Sequence, residues 1–287
     1  MLQNALVQYL ERILLEKIEA TSSISGGDIS LAYRIDTNSK SYFLKVNNAP
    51  NALHMFQTEA YSLQCIAQTN TIKTPKVIAY DGFENSAFLL LEFIVSKSPS
   101  SEDFRKLGEQ LAKLHQCTSE CFGSEQDNFI GRLHQSNTQH STWVNFYTRE
   151  RLIPQLELAK QKGLLQNAEC PNSEHIKSLL KPFFESIKPS LLHGDLWSGN
   201  YLISMNGTPY LIDPAVYSGH SEVDIAMSKL FGGFDESFYS AYSSIITTNE
   251  NSQARIELYQ LYYLLVHLNM FGNSYYGSVI RILNKYF

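Results

Sequence analysis

A chain of 287 residues with 44% hydrophobic and 12% aromatic content carries enough apolar side chain for a sizeable core, as one large domain or two lobes. A net charge of −5, a pI near 5.9 and the lack of any lysine or arginine run argue against a nucleic-acid or anionic-membrane binder and favour a neutral or cationic small-molecule partner. Four cysteines, Cys65, Cys117, Cys121 and Cys170, lack CxxC pairing, so reduced thiols are expected rather than a zinc or redox centre.

Residues 2–19 place Leu6, Leu10, Ile13, Leu14 and Ile18 on one helical face with charges opposite, which predicts an amphipathic surface helix. Glu11, Arg12, Glu16 and Lys17 interrupt that run too often for a signal peptide or a membrane span, so a cytoplasmic setting is expected. Ser23, Ser25, Gly26 and Gly27 then precede a strand-like run at 29–35, and a turn at 36–39 leads to a second strand at 42–46. Glycines at such a hairpin let backbone amides approach phosphate oxygens, although the stretch does not spell GxGxxG and a plain turn is the alternative.

Lys45 sits inside the apolar strand YFLKV on the side of Phe43, where it needs an anion unless the strand is an edge open to water. A helix over 52–67 turns Leu53, Phe56, Ala60, Leu63 and Ala67 inward and puts Glu59 on a neighbouring stripe, within reach of Lys45. Strands at 75–80 and 87–93, around a turn at Asp81, Gly82 and Asn85, complete a small, largely antiparallel sheet. Glu92, Phe93 and Ile94 form the connector that follows, and the polar, proline-containing residues 96–101 set a boundary near 95, dividing the chain into 1–95 and 96–287.

Beyond the boundary the pattern is helical. Helices are predicted from Ser101, over 143–160 with a kink at Pro154, and over 173–186. His115, on a stripe with Leu107, Leu111 and Leu114, reads as a packed core histidine. Residues 127–131 lie in a long polar connection whose length hints at function.

The stretch 191–213, LLHGDLWSGNYLISMNGTPYLID, gives His193, Asp195 and Asn200 the HxDxxxxN spacing of a phosphoryl-transfer loop, followed by a hairpin that turns at Asn206 and Gly207 and ends on Asp213. That chemistry needs one carboxylate to accept the attacking hydroxyl's proton, and a second carboxylate with an amide oxygen to hold Mg2+ against the phosphates of ATP. Asp195, Asp213 and Asn200 suit these roles, with Lys45 and Glu59 on the phosphates; strand-end capping by His193 and Asp195 is the plainer alternative. Pro214 in place of the DFG phenylalanine, Gly194 in place of the HRD arginine, and no APE segment point to a small-molecule acceptor. The tail 256–287 is helical and rich in tyrosine and leucine.

On MFQTEAYSL (55–63), LLHGDLWSGN (191–200), DPA (213–215) with Tyr217, GHSE (219–222), FGGF (231–234) and LYQLYYLLVHLNMFG (258–272), the chain resembles the fructosamine kinase (ketosamine 3-kinase) family, related to aminoglycoside and choline phosphotransferases, over nearly its whole length. The resemblance implies an α+β, bilobal, protein-kinase-like fold: a small N-terminal antiparallel β-sheet lobe with one main helix, and a larger, mainly helical C-terminal lobe. It implies transfer of the γ-phosphate of ATP, with Mg2+, to the 3-hydroxyl of a ketosamine, whose breakdown then frees the amine. In that frame Gly26, Gly27, Lys45, Glu59 and the connector Glu92, Phe93 and Ile94 meet the nucleotide, and Trp197 stacks on the open sugar chain. His220, Glu222, His267 and Asn269 fall near the acceptor, or serve packing and helix capping instead. Smaller sugars such as ribulosamines or erythrulosamines are favoured, in a monomer or weak dimer. SISGGDISLAY has no cysteine, so redox control of that loop is not implied. Two rival readings are a phosphotransferase of the same fold acting on an aminoglycoside, choline or amino alcohol, and a silent nucleotide-binding module, against which the joint presence of Lys45, Asp195, Asn200 and Asp213 argues.

Overall fold

Helix α1 (Asn4–Leu14) buries Leu6 and Leu10 against a sheet in the computed structural model, which describes residues 2–24 and 30–287. It stops short of the predicted end at 19. Leu15 turns left-handed (φ 56°), and the Glu11 carboxylate ties off the turn by accepting the Ile18 N–H at 3.1 Å and pairing with Lys17 at 2.9 Å. Ile18 is thereby drawn into β1 (Ile18–Ile24), a strand that helical periodicity masked because IEATSSI is a mostly exposed edge strand without apolar alternation. Gly26 and Gly27 lie outside the described residues.

The sheet continues with β2 (Leu31–Thr37), β3 (Ser41–Asn47), β4 (Val77–Phe83) and β5 (Ser86–Glu92), with helix α2 (Ala52–Gln68) between β3 and β4. All pairs are antiparallel, in the order β1-β2-β3-β5-β4. Both predicted hairpins are present, shifted by a few residues; the second turns at Glu84 (φ 51°). Strand β5 is buried on both faces: Phe88 and Leu90 pack with α1, and Ala87, Leu89 and Leu91 with α2. That is why FLLL reads as an unbroken apolar run. On α2 the inward stripe of Phe56, Ala60 and Leu63 passes to Ile66, so Ala67, expected inside, is exposed.

After the short strand β6 (Ser96–Lys97), helix α3 (Ser101–His115) starts in a capping box, with the Asp103 carboxylate accepting the Ser100 N–H at 2.9 Å and Lys97 at 2.6 Å. A small hairpin follows, β7 (Asn128–Ile130) and β8 (Leu133–Gln135). The predicted helix over 143–160 is three pieces: α4 (Trp143–Phe146), a π-helical turn at Tyr147–Leu152, and α5 (Ile153–Gln161) with Pro154 in its first turn. The wider turn accommodates a proline that cannot donate to the preceding ladder. Helix α6 (Ser173–Leu180) ends before 186, in a 3-10 turn that contains Pro182.

Strands β9 (Ser190–Leu192), β10 (Tyr201–Ser204), β11 (Pro209–Leu211) and β12 (Tyr217–Gly219) frame the stretch singled out above, β10 pairing with β11 and β6, and β9 with β12. Helices α7 (Glu222–Leu230), α8 (Glu236–Ser243), α9 (Ser252–Phe271) and α10 (Tyr276–Tyr286) close the chain. Helix α9 is buried on most of its faces and is the axis of the larger core, with Leu261, Tyr263, Leu265 and Leu268 fully enclosed. A small antiparallel-sheet lobe with one main helix, followed by a larger helical lobe, is the α+β architecture expected. The four cysteines are free thiols, and no helix among the described residues is long and apolar enough to cross a membrane.

Candidate active site

The loop between β9 and β10 is fixed from both sides. His193, buried, takes the Asp195 N–H on Nδ1 at 3.2 Å and faces the Ile212 carbonyl through Nε2 at 2.9 Å, so its Nε2–H donates and the ring is neutral. Burial holds its pKa below the ordinary imidazole value against the pull of Asp224. The His193 carbonyl accepts the Ala215 N–H at 2.8 Å, which stitches the loop to the segment after Asp213. Gly194 has φ 86°, and a Cβ there would run into the Ala215 carbonyl; this accounts for glycine where a protein kinase has arginine.

Beneath the loop lies an acceptor that the sequence reading passed over. The Asp224 carboxylate, fully buried on α7, accepts the N–H of His193 at 2.7 Å and of Gly194 at 2.9 Å, and pairs with His115 Nε2 at 3.0 Å. His115 in turn meets the Tyr242 hydroxyl through Nδ1 at 2.8 Å, and Tyr263 donates to the Gly194 carbonyl at 2.9 Å. Burial alone would raise the Asp224 pKa, but His115, His193 and the Gly194 amide hold it below the carboxylate range. His115 is the packed histidine expected.

Asp195 stands at the loop's apex. The Asn200 side-chain amide donates to its carbonyl at 2.8 Å and to its carboxylate at 3.3 Å, leaving the Asn200 oxygen open. Burial, reinforced by the charges of Asp213 and Asp224, pushes the Asp195 carboxyl up to about 7. Asp213 has a left-handed backbone (φ 53°), a strained geometry for a non-glycine residue.

Lys45 joins the lobes. Its ammonium contacts Glu59 Oε1 at 2.7 Å and Asp213 Oδ1 in a second, shorter bond. Register pairs it with Ala32 on β2 and Leu89 on β5, so it occupies a central strand and not an edge. Burial works to lower the lysine pKa, yet the two carboxylates outweigh it and raise it. Glu59 is pushed up to about 8 by burial and the Asp213 charge against the pull of Lys45, whereas Asp213 is held low by Lys45 despite its burial.

Lys45, Glu59, Asp195, Asn200 and Asp213 share one cleft of about 510 Å³, together with Glu92, Phe93, Ile94 and Trp197. The Glu92 N–H is spent on the Lys76 carbonyl at 2.9 Å, and Arg34 lies 4.9 Å over the Phe93 ring. The Trp197 indole is 39% exposed and lies over Gly199, where a Cβ would strike the ring. Asn128, Phe129 and Gly131 also line the cleft, giving the polar connection at 127–131 a place in the site.

The remaining candidates lie elsewhere. His220 and Glu222 line a separate cavity of about 740 Å³ and are already engaged: His220 Nδ1 bonds the Tyr259 hydroxyl at 2.7 Å, and Glu222 holds Arg255 in a bidentate pair at 2.6 Å. Burial and the Arg255 charge take His220 down to about 3. Asn269 is buried with its amide donated to Gln155 at 2.9 Å. All three are engaged in packing contacts, the alternative to an acceptor role that the sequence left open, since the GHSE and HLN motifs do not record which way a side chain faces. His267 donates Nδ1–H to the Tyr263 carbonyl at 2.8 Å and packs 4.8 Å from Phe231, in the FGGF turn that abuts Ser198 through Gly233.

The profile of the fructosamine kinase family matches residues 2–287. The chain belongs to the fructosamine kinase family. The chloroplastic protein-ribulosamine 3-kinase of Arabidopsis thaliana is 38% identical over 94% of this chain and 83% of its own length. The solved structure of a fructosamine-3-kinase candidate from Haemophilus somnus 129PT superposes with a TM-score of 0.87 at 29% identity, covering 98% of this family member and 96% of that chain. Aminoglycoside phosphotransferase APH(4)-Ia, in a ternary complex with AMP-PNP and hygromycin B, shares the fold at a TM-score of 0.65 and 16% identity, with 98% of both chains covered.

Proposed function

We propose that this fructosamine kinase family member transfers the γ-phosphate of ATP to the 3-hydroxyl of a ketosamine, a deglycation step. The observation that carries the reading is the convergence on one cleft of Asp195, Asn200 and Asp213 with the Lys45–Glu59 pair. Asp195, with a carboxyl near neutrality, takes the proton of the attacking hydroxyl and orients it. Lys45, held by Glu59, binds phosphate oxygens, and Phe93 and Ile94 border the adenine. Trp197 offers an exposed face for the acceptor's open sugar chain, with Phe231 and His267 beside the same loop. His220, Glu222 and Asn269 are left out of the acceptor site.

The donors suit Mg2+: hard oxygens from the Asn200 amide and the Asp213 carboxylate. A bound ion supplies charge neutralisation on the phosphates. We assign residues 1–95 to nucleotide binding and 96–287 to catalysis and the acceptor, in a cytoplasmic setting.

The test is phosphorylation of fructosamine, ribulosamine and erythrulosamine lysines beside kanamycin and choline. Transfer to a ketosamine, lost in Asp195→Asn, is expected. Transfer to kanamycin or choline alone would overturn the acceptor assignment, and nucleotide binding with no transfer to any acceptor would overturn the enzyme reading.

A further inference from the structure

We infer that the β7–β8 hairpin is a rigid strut that seats helix α2, and with it the Lys45–Glu59 pair, against the segment after Asp213, so that Asn128 and Phe129 are positioning residues of the nucleotide site. The inference rests on the nucleotide reading above and adds to it the part that holds the pair in register.

Two strands of three residues are too short to hold their own shape in water. Here a buried polar chain supplies what the ladder lacks. Asn128, 4% exposed, donates its amide to the Val216 carbonyl at 2.9 Å and accepts from the Gln135 amide at 2.7 Å; Gln135 accepts from the Tyr262 hydroxyl of α9. At the hairpin's base Arg151, fully buried, donates to the Ser136 carbonyl at 2.7 Å and to the Asn137 side chain at 2.6 Å. The Asn128 and Gln135 side chains and both terminal nitrogens of Arg151 are engaged, with Arg151 Nε alone buried without a partner, and buried bonds of this kind favour one conformation of the hairpin.

The hairpin reaches α2 on the N-terminal side of Glu59, where the Phe129 ring meets His54 edge-on at 5.4 Å. On the C-terminal side, the Val216 N–H points to Ser62 Oγ at 3.5 Å while the Val216 carbonyl takes Asn128. One residue, Val216, three positions past Asp213, thus has its N–H directed to α2 and its carbonyl to the hairpin. Glu59 and Ser62 lie one helical turn apart on the same face of α2. Glu59 is bracketed by the two contacts, and Lys45 bridges it to Asp213. In a fold without an activation segment, this strut fixes the ion pair that a mobile loop would otherwise control.

The experiment compares the full chain with Phe129→Ala and with His54→Ala, which removes the same contact from α2 without touching the cleft. Deuterium exchange of α2 amides is followed without ligand, and binding of Mg·AMP-PNP is measured with and without Glu59→Gln. Faster exchange confined to α2 and its neighbours, and binding weakened roughly fivefold in both variants but unchanged by them once Glu59 is replaced, are expected. Unaltered α2 exchange overturns the strut, and so does a Phe129→Ala effect of full size in the Glu59→Gln background, which would make Phe129 a direct ligand contact. A wild type that does not bind Mg·AMP-PNP overturns the nucleotide reading instead, and the exchange arm still decides the strut.

Discussion

Asp195 shows how the role proposed for a residue conflicts with stability. Its carboxyl has a folded pKa near 7, raised by burial and by the charges of Asp213 and Asp224, while the unfolded chain keeps the ordinary value near 4. A pKa raised on folding means that the unfolded chain ionises first, so the wild type loses stability as pH climbs from about 4 to about 7 and loses no more above that. Asp195→Asn removes the conflict. Denaturant melts should find the variant equal to wild type near pH 4 and more stable at pH 8 by about 2 kcal/mol, less than burial alone would give because the carboxylate borders the open cleft. For the same reason kcat/KM of the wild type should rise with pH along an acid limb near 7, which would move lower if Asn200 and Asp213 held a cation. Equal stability of the two proteins at pH 8 would contradict the raised pKa. Lys45, Glu59, Asp195, Asn200 and Asp213 were legible in the sequence because a spacing rule ties chemistry to position. Asp224 was not, since its partners are two backbone amides 30 and 31 residues away and a histidine 109 residues away, and no local pattern in EVDIAM records them.

At the scale of elements, apolar periodicity located most helices and failed where side chains were not what defined the element. Strand β1 carries exposed polar residues and exists through its ladder to β2, from Ile18 opposite Thr37 to Ile24 opposite Ala32. The π turn at Tyr147–Leu152 was foreshadowed only by Pro154. The contact of α3 with α8 was equally hidden, because it depends on an absent side chain. Gly108 sits mid-helix, and a Cβ there would collide with the Phe238 carbonyl and crowd the Tyr242 backbone N–H at 3.2 Å. Gly108→Ala would gain about 1 kcal/mol of helix propensity on an exposed helix. Here backbone must move against backbone, so a net loss of about 1–3 kcal/mol is expected in urea unfolding. Because α8 carries Tyr242, the hydroxyl partner of His115, the same variant should lower turnover with little change in nucleotide affinity. A stabilised Gly108→Ala protein would show that the two helices separate at no cost.

For the whole molecule the decisive charge is Lys45, since it is bound at once by Glu59 from the sheet lobe and by Asp213 from the helical lobe. The bilobal architecture itself was legible from the order of the segments, strands then helices, with the resemblance naming it. That one ammonium would bridge both lobes was legible only in part: the Lys45–Glu59 pairing follows from strand and helix spacing, whereas Asp213 lies 168 residues from Lys45. Burial should depress the lysine, yet its pKa is raised, so the ammonium stays charged throughout the physiological range. Lys45→Met leaves two carboxylates facing each other across the cleft, with Glu59 favouring its protonated form and Asp213 losing the charge that held it low. Mg·AMP-PNP at about a hundredfold over its Kd should stabilise the wild type by about 2.7 kcal/mol, and so raise its Tm by several degrees. Lys45→Met should lose most of that ligand-induced shift while its ligand-free Tm falls only modestly, because Glu59 takes up a proton and leaves one carboxylate charge in place of two. A Tm shift by Mg·AMP-PNP that persists unchanged in Lys45→Met would place the phosphates away from Lys45. A ligand-free Tm that collapses would instead make the triad chiefly a clasp between the lobes.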